Sequence, residues 1–216
     1  MSISIIIPCF NSEKYILKNI EKLQKVIQKT NQQYEIIIID DDSKDNTYET
    51  INKFYLKNKN IKIFKNNHNK GKSFSLIKGI KKSKFKKIII IDSDLPYFSK
   101  LSVLIKKLNN YDFVFINRRH EKSKNVGRSF SIYQIIRLYI GYIVNFIIRI
   151  YFSIRIKDTQ AGLKGFIKPK NFSKIRFFSN RFFFDLELLL YFISKKKKYF
   201  QFQFYLMYQQ ILVLKF

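Results

Sequence analysis

The chain opens on "ISIIIPCFN", an apolar run closed by Pro8, and short isoleucine runs recur at "YEIIIID" and "KKIIIID". Runs this short, β-branched and bounded by polar residues predict strands buried on both faces. Between them the period changes. In residues 12–30 the apolar positions Ile16, Ile20, Leu23 and Ile27 recur at helical spacing, with Ser12 placed as the N-cap. Residues 45–58 predict a second helix, "IKIFKN" a short strand, and "NKGKSFSLIKGIKKS" a glycine turn leading into a third helix. A helix near 98–109 and the strand "YDFVFIN" follow. Strand and helix alternate, so the fold class is α/β: a mostly parallel sheet flanked by helices.

Such sheets bind ligands beyond the carboxyl ends of their strands. The pattern therefore puts Asn11, the triplet Asp40–Asp42, and Asp92 with Asp94 on one rim. A single aspartate at a strand end commonly makes a turn or caps a helix. Two acidic clusters on one rim repel unless a cation or hydrogen-bond donors compensate them. "DSD" at 92–94 offers carboxylates on alternate residues, suited to hard oxygen coordination of magnesium or manganese. A metal of this kind commonly accompanies an anionic partner such as a diphosphate.

Composition changes this picture in two respects. The net charge is +27, from 42 basic and 15 acidic residues, which favours nucleic acid, anionic lipid or phosphorylated substrates. With 23 Phe and 14 Tyr, base stacking is conceivable, but a nucleic-acid binder leaves both acidic clusters unexplained. The single cysteine, Cys9, rules out an intrachain disulfide or a multi-cysteine metal site and reads as a small buried residue. "MSISIIIP" lacks the features of a signal peptide, and no run of about 18 uninterrupted apolar residues predicts a simple membrane span.

Six segments, in order, resemble the family 2 glycosyltransferases of the GT-A fold: "IIPCFNSE" at 6–13, "IIIDDDSKDNT" at 37–47, "NKGKS" at 69–73, "IIDSDLP" at 90–96, "KDTQAGLKGF" at 157–166 and "FFFDLELL" at 182–189. Within that family the chain is most like the dolichyl- or polyprenyl-phosphate hexosyltransferases. The resemblance covers roughly residues 3–192; residues 1–192 are expected as the glycosyltransferase domain, and 193–216 as a short atypical tail suggestive of truncation.

The resemblance implies roles position by position. Pro8, Phe10, Asn11 and Glu13 would shape the nucleotide-sugar pocket; Asp41 would meet the base and Asp40 the ribose side. Lys72 would lie near the nucleotide, and Asp92 and Asp94 would hold Mg2+ or Mn2+ on the donor diphosphate. Asp94, Asp185 and Gln160 are the expected catalytic positions; Arg118, Arg128 and Ser129 would bind the acceptor phosphate, for which arginine forks are suited. Two departures stand out. Ser12 replaces the usual Glu, the acid coming one residue later, and Pro96 replaces a metal-binding Gln found in some mannosyl members.

The segment 133–156 carries a polar stripe at Arg137, Gly141, Asn145 and Arg149 in otherwise apolar sequence. This predicts a helix near 133–152 that is buried in the core or lies in a membrane interface, the interface being the favoured reading. The expectation is thus an inverting enzyme moving glucose or mannose from UDP-glucose or GDP-mannose to a polyprenyl phosphate. It would act as a peripheral protein on the cytoplasmic face of a membrane. A glycan acceptor, with Asp185 as base, and a non-catalytic nucleotide-sugar binder are the alternatives.

Overall fold

A computed structural model describes residues 2–117, 162–179 and 183–203, with isolated positions between 136 and 151 and short strands at 205–207 and 210–212. The chain divides into two compact units, residues 1–115 with 162–200, and residues 116–161 with 201–216.

Most of the sheet belongs to the first unit. Strands β1 (Ser2–Cys9), β2 (Gln33–Asp40), β3 (Ile61–Lys65), β4 (Lys87–Ile91), β5 (Phe113–Asn117), β6 (Leu163–Ile167) and β7 (Tyr199–Gln203) lie in the order β3-β2-β1-β4-β6-β5-β7. The half built from β3, β2, β1 and β4 is parallel, with Ile5 beside Ile36 and Ile89. The isoleucines of β1, β2 and β4 are fully buried because both faces are covered, as their uninterrupted apolar runs require, whereas in the edge strand β3 Ile63 is only half-buried. The other half is not parallel. Strand β6 enters between β4 and β5 and runs antiparallel to both.

Helices α1 (Ile16–Gln28), α2 (Thr47–Tyr55), α3 (Lys72–Lys82), α4 (Leu101–Lys107) and α5 (Phe184–Ser194) complete this unit. The stripe Ile16, Ile20, Leu23 and Ile27 is the buried face of α1. Ser12 is not its side-chain cap. The helix starts at Ile16, and the Ser12 hydroxyl turns instead to Ser93 and Tyr15. A close approach fixes α3 on the sheet: a Cβ on Gly79 would fall 2.5 Å from Ile6 Cγ2. On β6, Gly165 faces Leu104 of α4 and Leu108 just beyond it, so by strand alternation Lys164 faces the opposite side. The segment expected as a tail contributes at once: Lys198 and Asp112 exchange hydrogen bonds, Asp112 N to Lys198 O at 2.8 Å and Lys198 N to Asp112 Oδ2 at 3.1 Å.

Away from the ligand rim, the sheet is pinned by one buried acid. Glu35 accepts hydrogen bonds from Ser4 Oγ (2.7 Å), Lys84 N (2.7 Å) and Lys62 Nζ (3.0 Å). Burial works against its charge, but these donors outweigh it and hold its pKa below the usual value.

In the second unit, the described positions between 136 and 151 are helical, and β8 (Tyr205–Met207) pairs antiparallel with β9 (Gln210–Leu212). Arg118, Arg128, Ser129 and Gln160 lie outside the described residues.

Candidate active site

The three adjacent aspartates at the end of β2 have three different fates. Asp40 is fully buried and accepts from Ser43 through both its backbone N–H and its hydroxyl. Burial raises its pKa. The Ser43 hydroxyl also accepts from Asn11 N at 2.9 Å, so Asp40 reaches the cleft through Ser43 and the β1 loop. Asp42 is in the left-handed region (φ 62°) and pairs at the surface with Lys44.

Asp41 is the clamp of the site. Its Oδ1 accepts from Asn66 Nδ2 (2.7 Å) and Lys70 N (3.0 Å), and its Oδ2 from Gly71 N (2.7 Å). Gly71 sits at φ 89°, where a side chain would be strained, and directly precedes α3. One carboxylate therefore fastens the "NKGKS" loop to the end of β2 and sets where Lys72 begins. Any base meeting Asp41 would share a carboxylate already engaged on both oxygens.

Asn11 (φ 49°) and Glu13 close the neighbouring loop. Asn11 Oδ1 accepts from Lys44 N, and Glu13 accepts from the backbone and side chain of Asn46 at 3.1 and 3.0 Å. Glu13 thus spends its carboxylate on the start of α2. Cys9 is buried against Ile39 O and Asp40; burial first, then the nearby aspartates, pushes its thiol far up, so it is inert.

The "DSD" turn is held by contacts that sequence reasoning missed. Ser93 O accepts from Asn19 Nδ2 at 2.9 Å, and Ser93 Oγ meets Ser12 Oγ at 3.1 Å. Leu95 (φ 53°) and Tyr97 (φ 61°) follow in the left-handed region, which costs about 1–3 kcal/mol each for such residues. Strain of this kind gathers where the surrounding structure must hold a functional turn. Opposite it, a Cβ on Gly162 would fall 2.7 Å from Asp92 Oδ2 and 2.9 Å from Pro96 Cγ. Only glycine lets β6 approach this close.

Two ion pairs gather at this turn, with the exposed Asp94 within electrostatic reach of Lys72. Lys72 Nζ is 2.5 Å from Asp92 Oδ1, and Lys164 Nζ is 2.5 Å from Asp185 Oδ1. Burial opposes the charge on Lys72, but Asp92, Asp185 and Asp94 outweigh it and raise its pKa. Burial lowers the pKa of Lys164 despite Asp185. The Asp94 carboxyl is raised, by burial and then by Asp92. Asp185 and Glu187 diverge: Asp185 is buried on Lys164, whereas Glu187 accepts from Phe178 N and Ser179 N, both at 2.8 Å. A base at Asp185 would have to leave its ion pair.

Pro8, Phe10, Asp41, Lys72, Asp92 and Ser93, with Cys9, line one cleft of about 210 Å3. The carboxylates of Asp92 and Asp94 are of the hard oxygen type that a divalent cation takes. Asp92 Oδ1 is buried and faces no hydrogen-bond donor except the Lys72 ammonium among the described residues. No group of three or more His, Cys, Asp or Glu converges there among those residues. Two carboxylates would leave the other coordination positions to diphosphate oxygens and water, the usual arrangement for magnesium at phosphates.

Comparison with known proteins bears on the family and the fold. The chain is 29% identical over 212 residues to the dolichyl-phosphate beta-glucosyltransferase ALG5D of Trichomonas vaginalis, covering 91% of this chain and 62% of that protein. It is 28% identical over 127 residues to the dolichol-phosphate mannosyltransferase of Pyrococcus furiosus, covering 58% of this chain and 35% of that one. The chain thus spans less than two thirds of the length of either relative. Among solved structures, glucosyl-3-phosphoglycerate synthase from Mycobacterium tuberculosis in complex with UDP superposes with a TM-score of 0.68. It covers 97% of this chain and 72% of its own at 16% identity, a likeness of fold. The glycosyl transferase family 2 model matches residues 4–180, and the chain belongs to that family.

Proposed function

We propose that the chain transfers a hexose, glucose or mannose, from a nucleotide-diphosphate sugar to a polyprenyl phosphate at a membrane surface, inverting the anomeric carbon. The observation that carries the donor half is the cleft itself. Phe10, Asp41, Lys72, Asp92 and Ser93 share a single opening at the strand ends. A nucleoside would lie towards Asp41 and the diphosphate towards Lys72 and Asp92.

When bound, Mg2+ or Mn2+ on Asp92 and Asp94 would stabilise the negative charge of the leaving diphosphate. Lys72 adds a cation beside the same oxygens. A phosphate monoester is already anionic near neutral pH, so its attack needs little proton transfer. That agrees with Asp185 being sequestered on Lys164 rather than free to act as a base.

Two further observations support the acceptor half. The dolichyl-phosphate enzymes among the relatives resemble this chain, one of them along nearly all of it. In the second unit, Ile136, Tyr139, Ile143, Phe146, Ile150 and Tyr151 are all more than half exposed on helical residues. An apolar surface of this kind on a chain of net charge +27 suits the interface of an anionic leaflet. Among the described residues no helix is long and apolar enough to cross a membrane. Arg118, Arg128 and Ser129 are proposed to receive the acceptor phosphate, and Gln160 to line the sugar site.

The acceptor is tested by offering labelled sugar nucleotides with polyprenyl phosphate or with soluble glycans. Label entering the organic phase is expected. Label confined to the soluble glycan would replace this reading with glycan extension.

A further inference from the structure

We infer that Lys72 is a built-in counter-ion for Asp92 which a divalent cation must displace, so that the lysine sets how tightly the metal binds before the donor arrives. The inference rests on the reading of Asp92 and Asp94 as the metal pair.

Two lysines enter the acidic pocket, and they differ. Lys164 lies on the interior strand β6 with a side chain 3% exposed, against an Asp185 carboxylate that is 10% exposed. Both ends of that pair are fixed by packed elements. Lys72 is the first residue of α3, is 37% exposed, and reaches Asp92 on a flexible four-carbon stem. One cation is locked in place and the other can move.

Asp92 needs such a cation. Its Oδ1 is buried, the Lys72 ammonium is the donor it faces among the described residues, and Asp94 adds a second acid two residues on. The Asp92 side chain is 30% exposed, but a buried carboxylate oxygen left without a compensating donor is still costly. Lys72 supplies the compensation, and in doing so holds an oxygen that a metal would use. A doubly charged ion approaching that oxygen is repelled by the ammonium until the lysine moves aside.

The displaced lysine has somewhere to go. Lys72 also lines the cleft with Phe10 and Asp41, where the donor diphosphate would lie. The diphosphate would give it a new anionic partner as the metal takes Asp92. Metal and donor would then favour each other's binding through one side chain. Lys164 cannot exchange in this way, because leaving Asp185 would strand a charge in the core.

The test measures binding of Mn2+ alone to the full chain, by electron paramagnetic resonance of the free ion, with no nucleotide present. Lys72→Met is expected to bind Mn2+ about tenfold more tightly than wild type, because the competing charge is gone. Lys72→Arg, which keeps the charge, is expected to stay weak, and Asp92→Asn to lose the site. Equal or weaker binding by Lys72→Met overturns the inference, as does Lys72→Arg binding as tightly as Lys72→Met. Failure of both wild type and Lys72→Met to bind Mn2+ overturns it together with the metal pair. Transfer of labelled sugar to polyprenyl phosphate by wild type tests the functional reading separately, so the two failures are distinguishable.

Discussion

Replacing Lys164 by methionine removes one half of a charge pair buried beneath the active-site rim. The side chains of Lys164 and Asp185 are 3% and 10% exposed and meet at 2.5 Å. Taking away one partner of such a pair costs about 3–5 kcal/mol, since the other charge is left without compensation. Lys72 also lies within electrostatic reach of Asp185, which favours the lower end, about 3 kcal/mol. With a urea dependence of about 2 kcal/mol per molar, the unfolding midpoint should fall by about 1.5 M. Urea unfolding followed by far-ultraviolet circular dichroism and tyrosine fluorescence measures this. The double variant Lys164→Met with Asp185→Leu removes both charges and should recover to within about 1 kcal/mol of wild type. A single variant within about 0.5 M of wild type, or a double variant no better than the single one, would refute the reasoning.

Gly162→Ala places a methyl group against Asp92 Oδ2 and Pro96, so it should lower metal-dependent turnover at least about tenfold by shifting Asp92. The same change at Gly79 should cost stability through Ile6 and leave Mn2+ affinity unchanged, and a shared phenotype would count against the assignment. Glu35 is held below its ordinary value of 4.5, so as pH falls the unfolded chain takes up the proton first. Its contribution to stability is complete above about pH 4.5 and is lost as pH falls through the lower folded value. Glu35→Gln should therefore flatten the acid limb of the urea midpoint plotted against pH; parallel limbs would show that Glu35 is not responsible.

The parallel half of the sheet was legible because fully buried strands leave uninterrupted isoleucine runs, and the rim aspartates follow from where those strands end. In the other half β5 was legible as "YDFVFIN", but the antiparallel β6 was not. Its "LKGFI" has a lysine and a glycine breaking the apolar run, and its place between β4 and β5 depends on residues some fifty positions after β5 begins. Lys164 escaped notice for a related reason. A lysine beside glycine reads as solvent-facing, and its partner Asp185 lies on a helix far along the chain. The three aspartates 40–42 were visible as a group, but their separate fates depend on Ser43, on the Asn66–Gly71 loop and on Lys44. Glu13 shows the limit of a motif at one residue, because its carboxylate is held by Asn46 at the start of α2. Ser12 shows the same for local rules: it is a good N-cap type, yet its hydroxyl serves the "DSD" turn through Ser93.

Asp92 and Asp94 are proposed to carry a metal-dependent sugar transfer to a lipid phosphate. Its most direct measurement incubates the protein with polyprenyl phosphate, manganese and labelled sugar nucleotides and counts label in the organic phase. Label is expected from one donor, lost on chelation and lost in Asp94→Ala, whose far-ultraviolet spectrum and urea midpoint stay those of wild type. Full transfer by Asp94→Ala, or transfer undiminished by chelation, would contradict the account.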